Sequence, residues 1–359
     1  LQLPQTSSTM GVLRIKQNAL RESSVGMIAT LGDPLGRPDA WTAGADATFQ
    51  TSRLGGDKNF LMGVWGLATG RAGLGEGERT AFGGKIDYPN DLWDVAFTFR
   101  RVGDAFDPSL GFVPRRGVQA FNLSLTYQPR PQRDVLGLDV RQMLHEFLPT
   151  LVTDLKGKWE SYRIFMAPIN WRLESGDRFE FNANPTGERL VEPFEIARGV
   201  AIPAGAYHWM RYRFEAGFAP KRRLSGQATR WTGGFYTGKL DELQLTGAWK
   251  PSPLFIVELN ATRNAGRLPE GRFTQDLFGT RVRLNVSPNL QYNSYLQYDN
   301  ASDTFGANTR VRWTFTPLGD LFIVYNHNLR HDIDPETGRP VNGGLPTDPT
   351  RRLDRRWGF

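Results

Sequence analysis

The chain has 359 residues, of which 39% are hydrophobic and 12% aromatic, and its formal net charge is +7. It contains no cysteine, which excludes disulfide bonds, thiolate metal ligands and a cysteine nucleophile. No apolar run reaches the roughly 18 residues of a membrane-spanning helix. The basic residues are spread at strand spacing rather than clustered in a compact run, which argues against a nucleic-acid-binding patch.

The first third of the chain predicts short antiparallel strands. Gly11–Gln17 and Ser24–Thr30 indicate a hairpin, and Trp41–Thr51 alternates weakly between polar and apolar residues. The glycine-rich segment Gly70–Gly77 predicts a flexible loop, and no Lys-Ser/Thr follows it as a phosphate-binding loop requires. The clearest strand is Leu92–Arg101, because Trp93, Val95, Phe97 and Phe99 share one face.

The middle of the chain combines strands with two proline-rich connections. Phe106–Arg115 is bounded by prolines, which disfavour a strand interior. Residues 135–190 predict two or three long strands, with Gly157 and Gly176 marking turns. The proline-bearing stretch Asn184–Gly205 predicts a long ordered loop.

From Tyr207 onward the alternation is regular. Within Asn308–Pro317, Val311, Trp313 and Phe315 share one face, and the other face carries arginine and threonine. The connections also alternate in type. The short ones contain proline, and the longer polar ones are predicted at Thr232–Gly238, Asn264–Gly271 and Asn300–Gly306.

These patterns predict an all-β fold, a transmembrane antiparallel β-barrel of outer-membrane type with about 16–18 strands. No helical layer is available to cover the apolar faces in water, and a sheet in lipid must close to pair its edges. We expect residues 1–359 to form a single barrel domain that is part of a longer protein. A soluble all-β protein is the competing fold, and it predicts a chain that stays monodisperse without detergent.

Several segments resemble one bacterial envelope family. They are Phe106-Asp107-Pro108 with Gly111-Phe112-Val113-Pro114-Arg115, Glu192-Pro193-Phe194-Glu195, Gly205-Ala206-Tyr207, and Asp320-Leu321-Phe322-Ile323-Val324-Tyr325-Asn326. The chain is similar to the C-terminal barrel of proteins with domain of unknown function 5916, which carry an N-terminal family-nine-like carbohydrate-binding sandwich. The resemblance implies a Gram-negative outer-membrane barrel but no reaction. The sandwich and the family's closing apolar strand are not recognisable here, so we expect truncation at both ends.

The residues opposite the aromatic rows are the candidate functional residues, because they would line a barrel's lumen. They are Arg211, Arg213, Glu215, Arg281, Arg283, Arg310 and Arg312. One interpretation is an anion-attracting pore, since rings of charge set selectivity. The other is that the arginines pair with Glu215, Glu242, Glu258 and Asp299 across strands and fill the interior. An arginine on the lipid face would cost roughly 2–4 kcal/mol, so either interpretation puts these residues inside.

Other chemistry has weaker support. His145-Glu146 lacks the second histidine of a metalloprotease helix because position 149 is proline. The acidic segment His331–Gly338 resembles the start of a calcium loop, but a proline interrupts it. No spacing places His208 or His327 in a hydrolase triad. Trp93, Trp249 and Trp313 fall on the apolar parity, which favours membrane-interface residues over sugar-stacking ones. We predict no catalytic residue, cofactor or metal.

The sequence therefore favours a pore or channel for small polar or anionic solutes. The alternative is a plugged barrel that anchors an envelope complex or displays a soluble domain, and a membrane-embedded hydrolase is a lesser possibility. The expected partners are membrane lipid or lipopolysaccharide and an envelope protein, without nucleic acid. The sequence leaves the oligomeric state open.

Overall fold

The computed structural model describes residues 9–330 and 357–358, and their regular structure is all β. None of these residues belongs to a helix with the length and hydrophobicity needed to cross a bilayer. The strands are β1 (Gly11–Ala19), β2 (Ser23–Leu31), β3 (Trp41–Leu54), β4 (Lys58–Gly70), β5 (Thr80–Pro89), β6 (Trp93–Val102), β7 (Val118–Tyr127), β8 (Val140–Met143), β9 (His145–Asp154), β10 (Trp159–Leu173), β11 (Arg178–Leu190), β12 (Phe194–Ala197), β13 (Val200–Ile202), β14 (Gly205–Phe218), β15 (Leu224–Phe235), β16 (Gly238–Ser252), β17 (Phe255–Leu268), β18 (Gly271–Ser287), β19 (Leu290–Asp299), β20 (Thr304–Thr316), β21 (Gly319–Arg330) and β22 (Trp357–Gly358).

Twenty of these strands form one antiparallel sheet, and β12 and β13 form a separate hairpin. Each long strand pairs with the next long strand in the chain, as in the registers of β16 with β17 and of β17 with β18. The short strand β8 pairs with the end of β10 beyond β9, and the short strand β22 pairs with β21. Without these two, eighteen strands of nine residues or more remain. Among the described residues, β1 pairs with β2 and the ladder continues from there to β22.

One face of the sheet, which we call the apolar face, exposes large hydrophobic side chains. Phe214 is 52% exposed, Leu259 55% and Trp313 50%. They occupy the parity opposite to Arg213, Glu258 and Arg312 on the same strands. The core of a water-soluble protein buries such residues. In this sheet the distribution is reversed, because the large apolar side chains are exposed.

The opposite face, which we call the polar face, is the shielded one. Asn182 is 0% exposed, Glu215 4% and Thr229 3%. Among the described residues, the buried hydrophobic side chains are mostly small or lie in connections, such as Phe106 and Ile202. Among the described residues, polar side chains are therefore buried about as often as hydrophobic ones.

Aromatic and charged residues bound the apolar face. At one end of the strands, Trp93 lies 4.6 Å from Tyr127 between ring centroids, and Trp249 lies 6.0 Å from Phe255. Toward the other end, ion pairs replace apolar residues on the same face. Arg230 and Asp241 are 3.0 Å apart, and Arg263 and Asp276 are 3.6 Å apart.

The two ends of the sheet differ in their connections. The short-turn end holds short connections at 20–22, 55–57, 90–92, 174–177, 219–223, 253–254, 288–289 and 317–318, with one long connection at 128–144. The long-loop end holds the longer connections at 32–40, 71–79, 103–117 and 191–204, together with short ones at 155–158 and 300–303. The asymmetry is strongest in the first half of the chain. In the second half, the long-loop end also has two-residue turns at 236–237 and 269–270.

This geometry corrects three predicted loops. Thr232–Gly238 and Asn264–Gly271 are mostly strand, because the ladders of β15 with β16 and of β17 with β18 extend to the tight turns. The long loop predicted at Asn184–Gly205 begins only after Leu190, because β11 pairs with β14 through Pro185. Proline at this position loses one donor without ending the ladder.

The remainder of that connection folds back over the polar face. Residues 194–202 form the β12–β13 hairpin, and Val200 and Ile202 are buried. A Cβ atom built on Gly271 would point to the polar face and lie 2.9 Å from the Val200 Cγ2 atom. The hairpin in the connection between β11 and β14 therefore extends over the polar face as far as Gly271, the first residue of β18.

Candidate functional site

The structure places all seven predicted residues on the polar face. Arg211, Arg213 and Glu215 alternate along β14 and stand opposite Gly233, Trp231 and Thr229 of β15. Arg281 and Arg283 share a face of β18 with Glu258 of β17. Arg310 and Arg312 lie on β20 beside Asn293 and Gln291 of β19. The period-two pattern was sufficient to assign these faces, because adjacent strand residues point in opposite directions.

Glu215 is the centre of a buried charge network. Its side chain is 0% exposed and forms ion pairs with both Arg178 and Arg213. The hydroxyl of Thr229 donates a hydrogen bond of 3.0 Å to its carboxylate. Arg213 also donates to Glu180 at 2.6 Å and to the Asn182 side chain at 3.1 Å. The network links β11, β14 and β15 on one face.

Arg211 extends this network to β16. Its guanidinium donates to Glu242 at 2.7 Å and to the Leu240 carbonyl at 3.2 Å. Arg211 and Arg213 both lie over the Trp231 ring, with guanidinium carbons 5.4 and 5.7 Å from its centroid. Trp231 therefore serves as a cation–π partner on the polar face.

The arginines of β18 and β20 are more accessible. Arg283 forms the close ion pair with Glu258, and Arg281 stands 3.9 Å from the same carboxylate. Arg312 donates to Asp320 at 3.1 Å, and Arg310 lies 4.8 Å from the centroid of Phe322. The contacts thus favour the paired interpretation for Arg211, Arg213 and Arg283, whose partners include Glu242, Glu215 and Glu258. Arg312 pairs with Asp320 rather than with the predicted Asp299, and Arg281 has a weaker pairing.

Two cavities lie against the polar face. The first, of about 680 Å³, extends from Gly176 and Pro220 at the short-turn end to Arg281 and Tyr295. The second, of about 640 Å³, is lined by Glu146, Arg163 and Arg172 among other residues. The buried side chain of Asn184 lies on the same face, and its amide group makes no hydrogen bond to the described residues. These features indicate polar space rather than a solid core.

A second cluster joins three connections at the long-loop end, and we call it the loop-end cluster. Asp107 accepts a 2.7 Å hydrogen bond from Arg71 and lies 3.7 Å from both Arg37 and Arg116. Arg37 also pairs with the buried Asp33 at 2.6 Å. Asp107 belongs to the Phe106-Asp107-Pro108 segment, so this segment binds the connections 32–40, 71–79 and 103–117 together.

The cluster lowers the pKa of each of its two carboxyl groups. Hydrogen bonding from Arg37 holds the pKa of Asp33 well below its ordinary value, although burial opposes the shift. Hydrogen bonding from Arg71, followed by the charges of Arg116 and Arg37, lowers the pKa of Asp107. Both groups are therefore ionised throughout the neutral range.

Sequence reasoning missed the aromatic residues on the polar face. Trp209 stands opposite Thr186 and packs 4.7 Å from Tyr236, whose hydroxyl donates to Glu188 at 2.6 Å. The period-two pattern contained this information, because Trp209 shares the parity of Arg211. Trp93, Trp249 and Trp313 are on the apolar face, as predicted.

The remaining candidates gain no support from geometry. The described residues include no group of three or more histidine, aspartate or glutamate side chains that could hold a metal ion. His208 contacts Tyr162 at 3.0 Å on the apolar face, and His145 contacts the Pro168 carbonyl at 2.9 Å. The calcium-like segment His331–Gly338 lies outside the described residues.

Comparisons with protein-family models, with curated proteins and with solved structures gave no match for this chain. The resemblance to the envelope family with domain of unknown function 5916 therefore depends on the quoted segments alone.

We expect Glu215 to be the most sensitive charged residue of the polar face. Glu215→Gln leaves Arg178 and Arg213 without their shared carboxylate, and breaking a buried pair costs about 3 kcal/mol. The loss lies at the low end of the range for buried ion pairs because Arg178 remains partly exposed. Urea unfolding followed by tryptophan fluorescence measures the difference. Asp320→Asn is the matched control, because its exposed pair with Arg312 contributes less than about 1 kcal/mol. Equal losses in the two variants would contradict the buried network.

We expect the loop-end cluster to loosen in acid. A lowered folded-state pKa gives stabilisation that is present above the ordinary carboxyl range and is lost as the pH falls through the folded value. Amide hydrogen exchange, corrected for intrinsic rates, should show residues 32–40, 71–79 and 103–117 protected at pH 5 and less protected below pH ~3. Asp107→Asn should lose this protection already at pH 7. Asp57→Asn, in an exposed turn, should not, and protection that is independent of pH and of Asp107 would show that the ion pairs do not hold these connections.

Proposed function

We propose that this chain is a transmembrane antiparallel β-barrel of the bacterial outer membrane that forms a pore for small polar or anionic solutes. Its apolar face contacts lipid or lipopolysaccharide, and its polar face surrounds an aqueous interior. It acts without a cofactor and without covalent chemistry. The observation that carries the proposal is the inverted sheet, which shields Glu215 and exposes Phe214 on the adjacent position.

The free energy of burial explains why this inversion supports a membrane location. Each large side chain of the apolar face would be stabilised by roughly 1.5–3 kcal/mol on leaving water. Exposed apolar patches larger than a few hundred Å² mark interaction or membrane surfaces. Here the exposed residues recur on consecutive strands, including Leu245, Leu259 and Phe278. Lipid is the surrounding that can cover so continuous a surface.

The limits of the apolar face fit the same environment. Aromatic pairs such as Trp93 with Tyr127 lie near the short-turn end, and Trp159 lies 4.9 Å from His208 near the long-loop end. Barrels place aromatic residues at both membrane interfaces. The ion pairs of Arg230 and Arg263 begin beyond the apolar residues of β16 and β17. This arrangement supports strands that project past the membrane at the long-loop end.

Closure follows from the membrane location. Unpaired edge groups in hydrocarbon cost several kcal/mol each, so the two ends of the ladder must pair within the barrel. The asymmetry of the connections supports the outer-membrane assignment, because such barrels have short turns on the periplasmic side and longer loops outside. In this orientation the turns at 90–92 and 317–318 are periplasmic, and the loop-end cluster is extracellular.

The interior supports a narrow pore with a weak preference for anions. The two cavities on the polar face provide polar space. Most arginines there are paired, as Arg213 is with Glu180 and Glu215. Paired charges contribute little net potential, so the remaining selectivity comes from cations with weaker pairing, such as Arg281.

The test is single-channel conductance of the protein in a planar bilayer, with the reversal potential measured in a salt gradient. We expect discrete open steps and a weak anion preference. Replacing Arg281, Arg283, Arg310 and Arg312 by glutamine should shift the preference toward cations, because Glu258 and Asp320 then lose their partners. A protein that inserts and folds but passes no current would overturn the pore.

The alternative, a plugged anchoring barrel, has its own supporting observation. The β12–β13 hairpin leaves the wall between β11 and β14 and lies over the polar face as far as Gly271. Its residues Val200 and Ile202 are buried. An inward-folded segment that packs this closely narrows the interior at the long-loop end, and it would block a pore if it did not move.

We expect displacement of this hairpin to change the current. Gly271→Ala puts a methyl group 2.9 Å from the Val200 Cγ2 atom, which forces the hairpin away and should raise the conductance. Adding Val200→Ala removes that atom and leaves the two Cβ atoms 3.7 Å apart, so the double variant should conduct like the original protein. Both variants carry alanine at position 271, so any backbone strain at that position affects them equally. Equal conductance in the two would show that the hairpin does not restrict the pore.

A further inference from the structure

The cavity at the short-turn end has the composition of a binding site rather than of a plain channel wall. It measures about 680 Å³, which lies in the range of small-molecule sites. Its charged lining residues are Arg178, Lys250, Glu258 and Arg281. Three of these are cations, so the site has an excess of positive charge over its single carboxylate.

Arg281 is the cation that is best placed to receive a ligand. Arg283 takes the close contact with Glu258, which leaves the Arg281 guanidinium 3.9 Å from that carboxylate. The guanidinium lies 5.2 Å from the centroid of Tyr295, and the Arg281 side chain remains 52% exposed. A guanidinium held over an aromatic ring keeps its planar N–H groups available for bidentate binding of an oxyanion.

Lys250 provides a second cation at the rim of the cavity. Its ammonium donates one hydrogen bond of 2.8 Å to the Pro220 carbonyl, and an ammonium group has three N–H donors. Arg178 differs, because Glu215 and the Gln227 side chain already occupy it. The hydrogen bond to Pro220 therefore fixes the position of the Lys250 ammonium, which retains N–H donors for a ligand.

Uncharged hydrogen-bonding groups complete the lining. Thr246 and Asn260 line the cavity and form a directly opposed pair on β16 and β17, two residues from the Glu258–Arg281 pair toward the long-loop end. Gly279 makes room for Asn260, because a Cβ atom at position 279 would lie 2.3 Å from the Asn260 Oδ1 atom. Amide and hydroxyl groups in such a position suit the hydroxyl groups of a ligand.

We propose that this cavity binds a small hydroxylated oxyanion, with Arg281 and Lys250 binding its carboxylate or phosphate group and Asn260 and Thr246 its hydroxyl groups. The inference deepens the proposed function and depends on it in one respect, that the polar face surrounds an aqueous interior. The site gives the pore a preferred class of solute. A solute that binds inside the pore is transported in preference to other solutes of equal size.

The test compares two probes that differ at one terminal carbon. Gluconate and sorbitol have the same carbon chain with similar hydroxyl groups, but only gluconate carries a carboxylate. Isothermal titration of the purified protein in detergent at low ionic strength should show saturable binding of gluconate and none of sorbitol. Arg281→Gln and Lys250→Gln should each weaken the binding about tenfold, which corresponds to the loss of one charge-assisted contact of about 1.4 kcal/mol.

Arg14→Gln is the matched control, because it removes the same charge from the polar face at the Arg14–Asp46 pair, which does not line the cavity. It should change gluconate affinity by less than about twofold, as expected for surface-type pairs. Inorganic phosphate should compete with gluconate if the oxyanion group alone is recognised, and failure to compete would assign the site to carboxylates. Equal binding of gluconate and sorbitol, no binding of either, or equal weakening by Arg14→Gln would overturn the site.

The titration separates this site from the pore, because it requires no current. Gluconate binding that depends on Arg281, in a protein that passes no current, would support the site and overturn the pore. Current that gluconate does not reduce, together with an absence of binding, would support the pore and overturn the site.

Discussion

The inversion of a single sheet is the constraint on which the rest of this structure depends. Strands in the middle of the ladder present polar side chains to a shielded face and apolar side chains to an exposed one, as Glu215 and Phe214 do on β14, whereas the edge strand β1 is exposed on both faces. Such a sheet cannot derive its stability from an apolar core in water. Hydrogen bonding along the ladder, ion pairs on the polar face and the surrounding of the apolar face must provide it. The proposed membrane location supplies that surrounding.

The ion pairs follow from the same constraint. Charged groups on the shielded face lose hydration, and this loss is tolerable only if partners replace it. Glu215 has two arginines and Thr229 as partners; Arg213 lies on the same strand, and Arg178 and Thr229 lie on the adjacent strands β11 and β15. Arg281 departs from this arrangement, because the carboxylate nearest to it, that of Glu258, is in closer contact with Arg283. A cation that the protein itself leaves incompletely paired, beside a cavity, is a natural place for a ligand.

The two ends of the sheet differ in the structures that they carry. At the long-loop end, the cluster around Asp107 binds three connections into one unit, and the β12–β13 hairpin lies over the polar face. At the short-turn end, tight turns leave the first cavity accessible beside Pro220. In the proposed pore, the long-loop end therefore limits entry, and the short-turn end holds the oxyanion site.

The amino-acid sequence alone determined the all-β class, most of the long strands and the face of the six predicted arginines, because strand parity is a local property of period two. It also marked the turns at Gly157 and Gly176, whose positive φ angles of 87° and 88° favour glycine. It did not reveal that Arg283 and Arg281 compete for Glu258, that Asp107 joins three connections, or that the 191–204 connection folds over the polar face. These are contacts between residues distant in the chain, and only the register of the strands and the path of the connections brings them together.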